Sequence, residues 1–370
     1  MSLSSVSLRN IRKHTEARID FSDKLNYIVG GNGVGKTTIL EAIHYLSTTK
    51  SCVTSTDSEA VKFGAPGFSI EGHFAGRTED ETKVTYSVSD NKKQYLLNGK
   101  LINRFSEIIG KFPVVLISPS DHSITQGYSA ERRKFVDSVI SQASRTYLNL
   151  LIDYNRTLKQ RNFLLNRIRE SNRNDLQELK AWNEKLVESG VEIIRHRENF
   201  VTDFDSYIKN SYLRILHKKE EPAIHYYFLE GKSSEGKELD FYDLLEKRRD
   251  EEIRRGTSLV GPHKDEFIFS INGISIKNYG SQGQNKTFQA ILRFAEYFYL
   301  KDRTGKSPLF LLDDVFGELD AERASAISYY LEEVEQAFIT LTDFGNFSFL
   351  SMGKDSRIIK LFDTGDISYA

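Results

Sequence analysis

The chain has 370 residues, with 51 Lys and Arg against 52 Asp and Glu and 39% apolar residues, enough for a sizeable core and against wholesale disorder. Its apolar runs fall far short of the ~20 residues that span a bilayer, and basic residues precede any apolar leader segment. The single cysteine, Cys52, excludes an internal disulfide framework or a cysteine-built metal site. A cytoplasmic protein of two or three domains with no membrane partner is expected. With a formal charge of −1, indiscriminate coating of nucleic acid is not expected, so any phosphate-binding surface must be local.

Along the chain, residues 2–8 and 17–21 alternate in polarity, and 25–29 run apolar into a glycine cluster. The spacing of Ile39, Leu40, Ile43 and Leu46 predicts a helix over 36–46. Short strands are predicted at 68–74, 83–88 and 94–97, the last entering the hairpin dipeptide Asn98-Gly99. Residues 112–117 read as a buried strand closed by Pro119. From about 130 to 216 the pattern turns helical. Leu148, Leu151, Leu158, Leu165 and Ile168 form one set, and Leu179, Leu186, Ile193, Phe200 and Tyr207 recur every seven residues after a polar break at 171–175. Two helices folded back on each other follow, an arm on the order of 50 Å long, with Trp182 assigned to packing. Residues 233–250 read as a loop and a short helix, and 266–276 as strands about the turn Asn272-Gly273. A helix at 286–300, a strand at 309–312, a helix at 321–334 and a strand at 337–341 complete the prediction.

Two motifs carry chemistry. Gly30-Gly31-Asn32-Gly33-Val34-Gly35-Lys36-Thr37 fits G-x-x-x-x-G-K-[ST] between a strand and a helix, and Thr38 follows it. Glycines there let backbone N–H groups turn toward the phosphates of ATP, and the helix N-terminus favours anions. Lys36 reaches the terminal phosphates, and Thr37 holds Mg²⁺. The second motif is the apolar strand ending in Asp313-Asp314. Asp313 is the expected Mg²⁺ partner through water, and Asp314 the residue that orients and deprotonates the attacking water. A capping role for the two aspartates is the plainer alternative. Most of the chain separates these motifs.

A third segment, Gly280-Ser281-Gln282-Gly283-Gln284, is similar to the Ser-Gly-Gly-Gln signature of ABC-type ATPases, with Gln282 in place of a glycine. In that class the signature, here Ser281, Gly283 and Gln284, meets the γ-phosphate held by a second subunit. Gly317-Glu318-Leu319-Asp320 falls where such ATPases carry their D-loop. Further segments are Asn10-Ile11-Arg12, Leu40-Glu41-Ala42-Ile43, Ser118-Pro119-Ser120-Asp121, Glu131-Arg132-Arg133-Lys134-Phe135-Val136-Asp137, Lys159-Gln160-Arg161-Asn162 and Leu259-Val260-Gly261-Pro262-His263-Lys264-Asp265. With these the chain resembles, over nearly its whole length, the RecF family of bacterial recombinational-repair ATPases, relatives of SMC heads. Departures are Ile11 for an aromatic, Lys264 for arginine, Phe316-Gly317 for a more polar pair, and Thr342-Asp343 where ABC ATPases carry a switch histidine.

The resemblance implies an α/β fold: an ABC/SMC-type P-loop ATPase head in two parts, 1–120 and 256–370, with an inserted, mostly helical arm at 121–255. It also implies an ATP-dependent homodimer on double-stranded DNA beside single-stranded gaps. Cooperation with RecO and RecR to load RecA, and slow, DNA-dependent hydrolysis serving as a release switch, are implied as well, linking the protein to replication restart and the SOS response. Catalysis would rest on Asp314, Lys36 and Ser281. Between 131 and 173 the chain carries ten basic residues against four acidic ones. Arg132, Arg133, Lys134, Arg156, Lys159, Arg161 and Arg167 are the candidate DNA contacts, a solvated helical face being the alternative. His263 is assigned either to the nucleotide or to a structural turn, and Gln126 and Gln142 are both candidates for the Q-loop glutamine. Another SMC-like or ABC-type DNA clamp is the alternative function. A transport ATPase would need a membrane-coupling segment, and a small-molecule phosphotransferase leaves the signature unexplained.

Overall fold

Residues 25–29 are buried at every position, as in a strand covered on both faces. In the computed structural model this strand, β3 (Leu25–Val29), pairs in parallel with β13 (Gln336–Leu341) and β14 (Arg357–Leu361). The sheet continues through β12 (Leu309–Leu312) to β8 (Val114–Ile117), and on its other side to the antiparallel β15 (Ile367–Tyr369). A second sheet, antiparallel, holds β2 (His14–Asp20), β1 (Ser2–Ile11), β4 (Gly67–Ala75), β5 (Asp80–Ser87), β6 (Lys92–Leu97) and β7 (Lys100–Leu101) in that order. One core joins the two sheets through α1 (Lys36–Thr48): Ile39, Ile43 and Leu46 cluster with Leu3 and Val6 of β1 and Leu311 of β12. Gln336, buried, ties the sheets by hydrogen bonds. Its side chain accepts from Leu3 N–H and donates to the carbonyls of Leu3 and Ser22.

The described residues are 1–76, 78–171, 175–216, 220–231, 237–318, 320–343 and 355–370. They form two compact units: Met1–Asp121 with Asn210–Lys218 and Lys286–Ala370, and His122–Lys209 with Lys219–Asn285. The second unit contains α2 (His122–Gln126), α3 (Ser129–Ala143), α4 (Arg145–Ser171) and most of α5 (Leu176–Leu216). It also holds the sheet β11 (Ile274–Ser275)-β10 (Glu266–Ile271)-β9 (Pro222–Tyr227), with α6 (Lys237–Arg255) and α7 (Ile276–Tyr279). Helix α8 (Gln282–Thr304) leads into β12, and α9 (Ala321–Leu331) precedes β13.

These borders differ from the expected ones. Residues 256–285 join the helical unit and 210–218 the ATPase unit. Pairing explains the first shift, since β10 pairs along its length with β9, whose strand follows α5. The two arm helices have 27 and 41 residues, ~40 and ~60 Å. Leu164, Leu165 and Ile168 of α4 cluster with Leu179 of α5, and Trp182 packs against that cluster as expected. Leu186, Ile193 and Phe200 continue the buried seven-residue stripe. Among the described residues no helix is long and apolar enough to cross a membrane.

Candidate nucleotide site and helical surface

Between β3 and α1 the backbone curls through Gly33 and Gly35, whose φ values of 77° and 104° suit only glycine without strain. Space imposes the same choice at Gly30 and Gly35. A Cβ on Gly30 would stand 2.7 Å from the Leu361 carbonyl oxygen, and one on Gly35 2.4 Å from His14 Nε2. Lys36 Nζ donates to the carbonyls of Gly30 (2.7 Å) and Gly31 (2.8 Å), inside the curl. Burial lowers the Lys36 pKa, against the charges of Asp314 and Asp313. Gly31, Asn32, Gly33 and Thr37 are exposed, whereas Val34 and Thr38 are buried and anchor the loop. His14 was not legible as part of this site. It lies buried against Gly35, with Nε2 3.2 Å from the Gly35 carbonyl oxygen. Burial lowers its pKa, so the ring is neutral and Nε2 carries the proton given to that carbonyl.

The two motifs meet. Thr37 Oγ1 donates to Asp313 Oδ1 at 3.0 Å, across 276 residues of chain. Parallel pairing sets this up: β12 lies between β8 and β13, and Asp313 N–H continues the ladder by donating to the Ile117 carbonyl. Thr340, on the neighbouring β13, serves both aspartates. Its hydroxyl donates to Asp313 Oδ1 at 2.9 Å and accepts from Asp314 N–H at 2.9 Å. A lone hydroxyl in the apolar run from Ala337 to Leu341 was the available signal for it. Burial raises the Asp313 pKa, against the hydrogen bonds from Thr340 and Thr37. Asp314 is exposed and held at φ 52°, a left-handed conformation uncommon outside glycine. Beside the pair lies a cavity of about 30 Å³, room for one water. Ser118, Lys286 and Gln289 line it with both aspartates. Lys286 and Gln289 went unrecognised because nothing in their helix marks them as polar site residues.

Ser281 and Gln284 form a reciprocal capping box at the start of α8. Gln284 N–H donates to Ser281 Oγ (3.2 Å), and Ser281 N–H donates to Gln284 Oε1 (2.9 Å). Both side chains are exposed, and Gly283 lies between them in the first turn. Asp320 likewise caps α9, accepting from Arg323 N–H at 2.9 Å. Leu319, in the same expected D-loop, lies outside the described residues. Thr342 and Asp343 follow β13 and are exposed. Gln126 ends α2, and Gln142 is buried within α3.

Two of the seven expected DNA contacts are corrected by burial. Arg161 is 0% exposed, its guanidinium paired with Glu252 at 2.5 Å and bonded to Asn183 and Ser258. Arg132 is buried between Glu266 and the carbonyls of Phe267 and Gly127. Neither can reach a phosphate. Arg167 is half-buried and paired with Asp175 (2.9 Å) and Glu178 (2.5 Å). Arg156, Lys159 and Lys134 are exposed and Arg133 half-buried. Arg173, counted in the basic excess, lies outside the described residues.

His263 is structural within its unit. Its Nε2 lies 3.2 Å from the Ser258 carbonyl oxygen, so it donates there, and Nδ1 accepts from Tyr154 Oη at 2.7 Å. Burial pushes its pKa down to about 4 from 6.5. The native state therefore excludes a proton that the unfolded chain binds. The resulting stabilisation is fully present above pH 6.5 and is lost as pH falls through about 4. Denaturant midpoints of wild type should accordingly fall more steeply across that window than those of His263→Gln; parallel curves would contradict the assignment.

Residues 5–256 match the family described as AAA domain. A DNA replication and repair protein RecF from Salinibacter ruber is 38% identical over 355 residues, covering 94% of this chain and 86% of the relative. One from Chloroherpeton thalassium is 39% identical over 357 residues, covering 94% and 96%. The chain belongs to the RecF family. A solved structure described as the recombination mediator protein RecF-ATP in the RecFOR pathway superposes with a TM-score of 0.89 at 31% identity, covering 100% of this chain and 97% of that one. An Smc head bound to the C-terminal winged-helix domain of ScpA shares the fold, with a TM-score of 0.57 at 13% identity over 100% and 97% of the two chains. The expected architecture, an ABC/SMC-type α/β head carrying an inserted helical arm, is thus that of the RecF family.

Proposed function

We propose that this RecF-family protein is a cytoplasmic ATP-switched DNA clamp: two copies close around two ATP molecules on DNA, and slow hydrolysis releases them. The observation that carries the reading is the Thr37–Asp313 hydrogen bond, which unites the P-loop with the acidic strand. Loop N–H groups from Gly31 to Thr38 receive the phosphates, and the Lys36 ammonium exchanges its two carbonyl partners for phosphate oxygens. Thr37 and Asp313 offer only hard oxygens, as Mg²⁺ requires, and would hold it together with the nucleotide's phosphates; when bound it neutralises developing phosphate charge. Asp314, fixed through its own N–H by Thr340, faces the water-sized cavity from which the attacking water is deprotonated. Ser281, Gly283 and Gln284 serve the other subunit's γ-phosphate. Their capping box fixes them at the first turn of α8, whose positive dipole end suits that anion. D-loop Asp320 completes the composite site.

Support for the DNA surface comes from α4, where Arg156, Lys159 and Phe163 stand at helical spacing on one face, all exposed. Their cations neutralise phosphates, and the aromatic ring offers a stacking face to an unpaired base. Such a mixed surface suits duplex beside a single-stranded gap. Family membership supports cooperation with RecR and RecO in loading RecA, and through it replication restart and SOS induction. Gel-shift titrations on gapped duplex, with and without ATP across ionic strengths, test this reading. Arg156→Glu with Lys159→Glu should weaken binding and flatten the log–log salt slope by about two. An unaltered slope would place the DNA elsewhere.

A further inference from the structure

Within the helical unit, α3, α4 and α5 and the turn at 262–263 form an open cleft of about 420 Å³, lined by Arg133, Lys134, Asp137, Tyr154, Arg197 and His263 among others. Two of the segments that carry the family resemblance, 131–137 and 259–265, meet at its wall, and nothing in the proposed nucleotide chemistry uses them. Its hydrogen-bond inventory is lopsided. Arg197 and Asp137 satisfy each other, Nε to Oδ1 and Nη2 to Oδ2 at 3.0 Å each. The other Arg197 nitrogen serves the Pro262 carbonyl (2.8 Å) and Asp265 (3.1 Å), while Tyr147 Oη donates to Asp137 at 2.5 Å. His263 has committed both ring nitrogens, and Tyr154 its proton.

What remains is a surplus of donors. Arg133 gives one nitrogen to the Asp265 carbonyl at 2.6 Å, leaving most of its five N–H groups. Lys134 is exposed and, among the described residues, makes no ion pair. Burial, then the neighbouring Arg197 charge, pulls the Arg133 pKa down, against the charges of Asp265, Glu266 and Asp137. A site with donors and positive charge to spare takes an acceptor-rich anion. Its volume lies in the range of small-ligand clefts and excludes a duplex.

We propose that this cleft binds the phosphate of a single nucleotide, presented either at the end of a DNA strand or free in solution. Arg133 and Lys134 grip the phosphate oxygens, and the fixed Arg197–Asp137 pair forms the floor. The proposal draws on the DNA reading only for the first of these sources.

The test compares wild type with Arg133→Gln and Lys134→Gln by fluorescence anisotropy, on gapped duplex whose recessed strand ends are either phosphorylated or dephosphorylated. Wild type should prefer phosphorylated ends by about tenfold, as expected for charge-assisted hydrogen bonds, and both variants should lose the preference. Equilibrium dialysis of thymidine monophosphate against Lys36→Met protein, in which the P-loop lacks its lysine, reads the free-nucleotide source. Binding there that disappears on adding Lys134→Gln supports the pocket without the strand end. No end preference together with no monophosphate binding overturns the proposal, as does either signal surviving Lys134→Gln unchanged. Lys134 is exposed, so that variant folds even if Arg133→Gln does not. Affinity for dephosphorylated DNA reports separately on the general DNA reading.

Discussion

Arg161→Ala should destabilise the protein by about 3–5 kcal/mol, the cost of leaving a buried partner charge uncompensated. Arg161 donates to Asn183 Oδ1 at 2.7 Å, Ser258 Oγ at 2.6 Å and Glu252 Oε2 at 2.5 Å, which ties α4 to α5, α6 and the segment after it. Glu252, equally buried, also accepts from Leu259 N–H at 2.7 Å. Removing the guanidinium strands that carboxylate without its cation. Lysine should not rescue, because a point charge cannot serve three acceptors in a planar fork. Replacing both partners, as in Arg161→Met with Glu252→Leu, should recover most of the loss. The comparison is Lys159→Ala, an exposed neighbour whose urea midpoint should move by less than about 0.5 kcal/mol equivalent. Equal, small effects for Arg161→Ala and Lys159→Ala would mean that Arg161 is a surface residue after all.

Lys36→Met and Asp314→Asn should both reduce ATP turnover by about 10²-fold or more, but for different reasons. In the proposed mechanism Lys36 supplies charge at the terminal phosphates, so its loss should abolish nucleotide binding as well as hydrolysis. In the same mechanism Asp314 acts on water. Asp314→Asn should therefore bind ATP normally and accumulate the ATP-bound dimer. Titration with a fluorescent ATP analogue and phosphate-release assays separate the two steps. Normal turnover in Asp314→Asn would assign the base to another residue, and weakened nucleotide binding there would place Asp314 in the binding site itself.

The candidate nucleotide site was largely legible because its residues answer to local rules. Gly30 and Gly35 are demanded by close approach, Lys36 opens a helix, and Asp313 ends a wholly apolar strand. Thr340 and His14 escaped notice because their roles arise only when β13 lies beside β12 and β2 packs on the loop. Charge on the arm was misread for a related reason. A count over 131–173 sees only acids nearby in sequence, whereas Arg161 is neutralised by Glu252 and Arg132 by Glu266. Amphipathic spacing identified the α4–α5 hairpin, but not that 256–285 joins it, because strand pairing with β9 is not written in periodicity.

The central claim is that one copy of this chain completes the ATP site of another through Ser281. Light scattering with and without ATP tests it most directly, on wild type and Ser281→Arg, with nucleotide titrations confirming that each monomer binds ATP. Wild type should double its mass on ATP addition, while Ser281→Arg binds ATP and remains a monomer. ATP-induced dimerisation of Ser281→Arg equal to that of wild type would contradict the shared site.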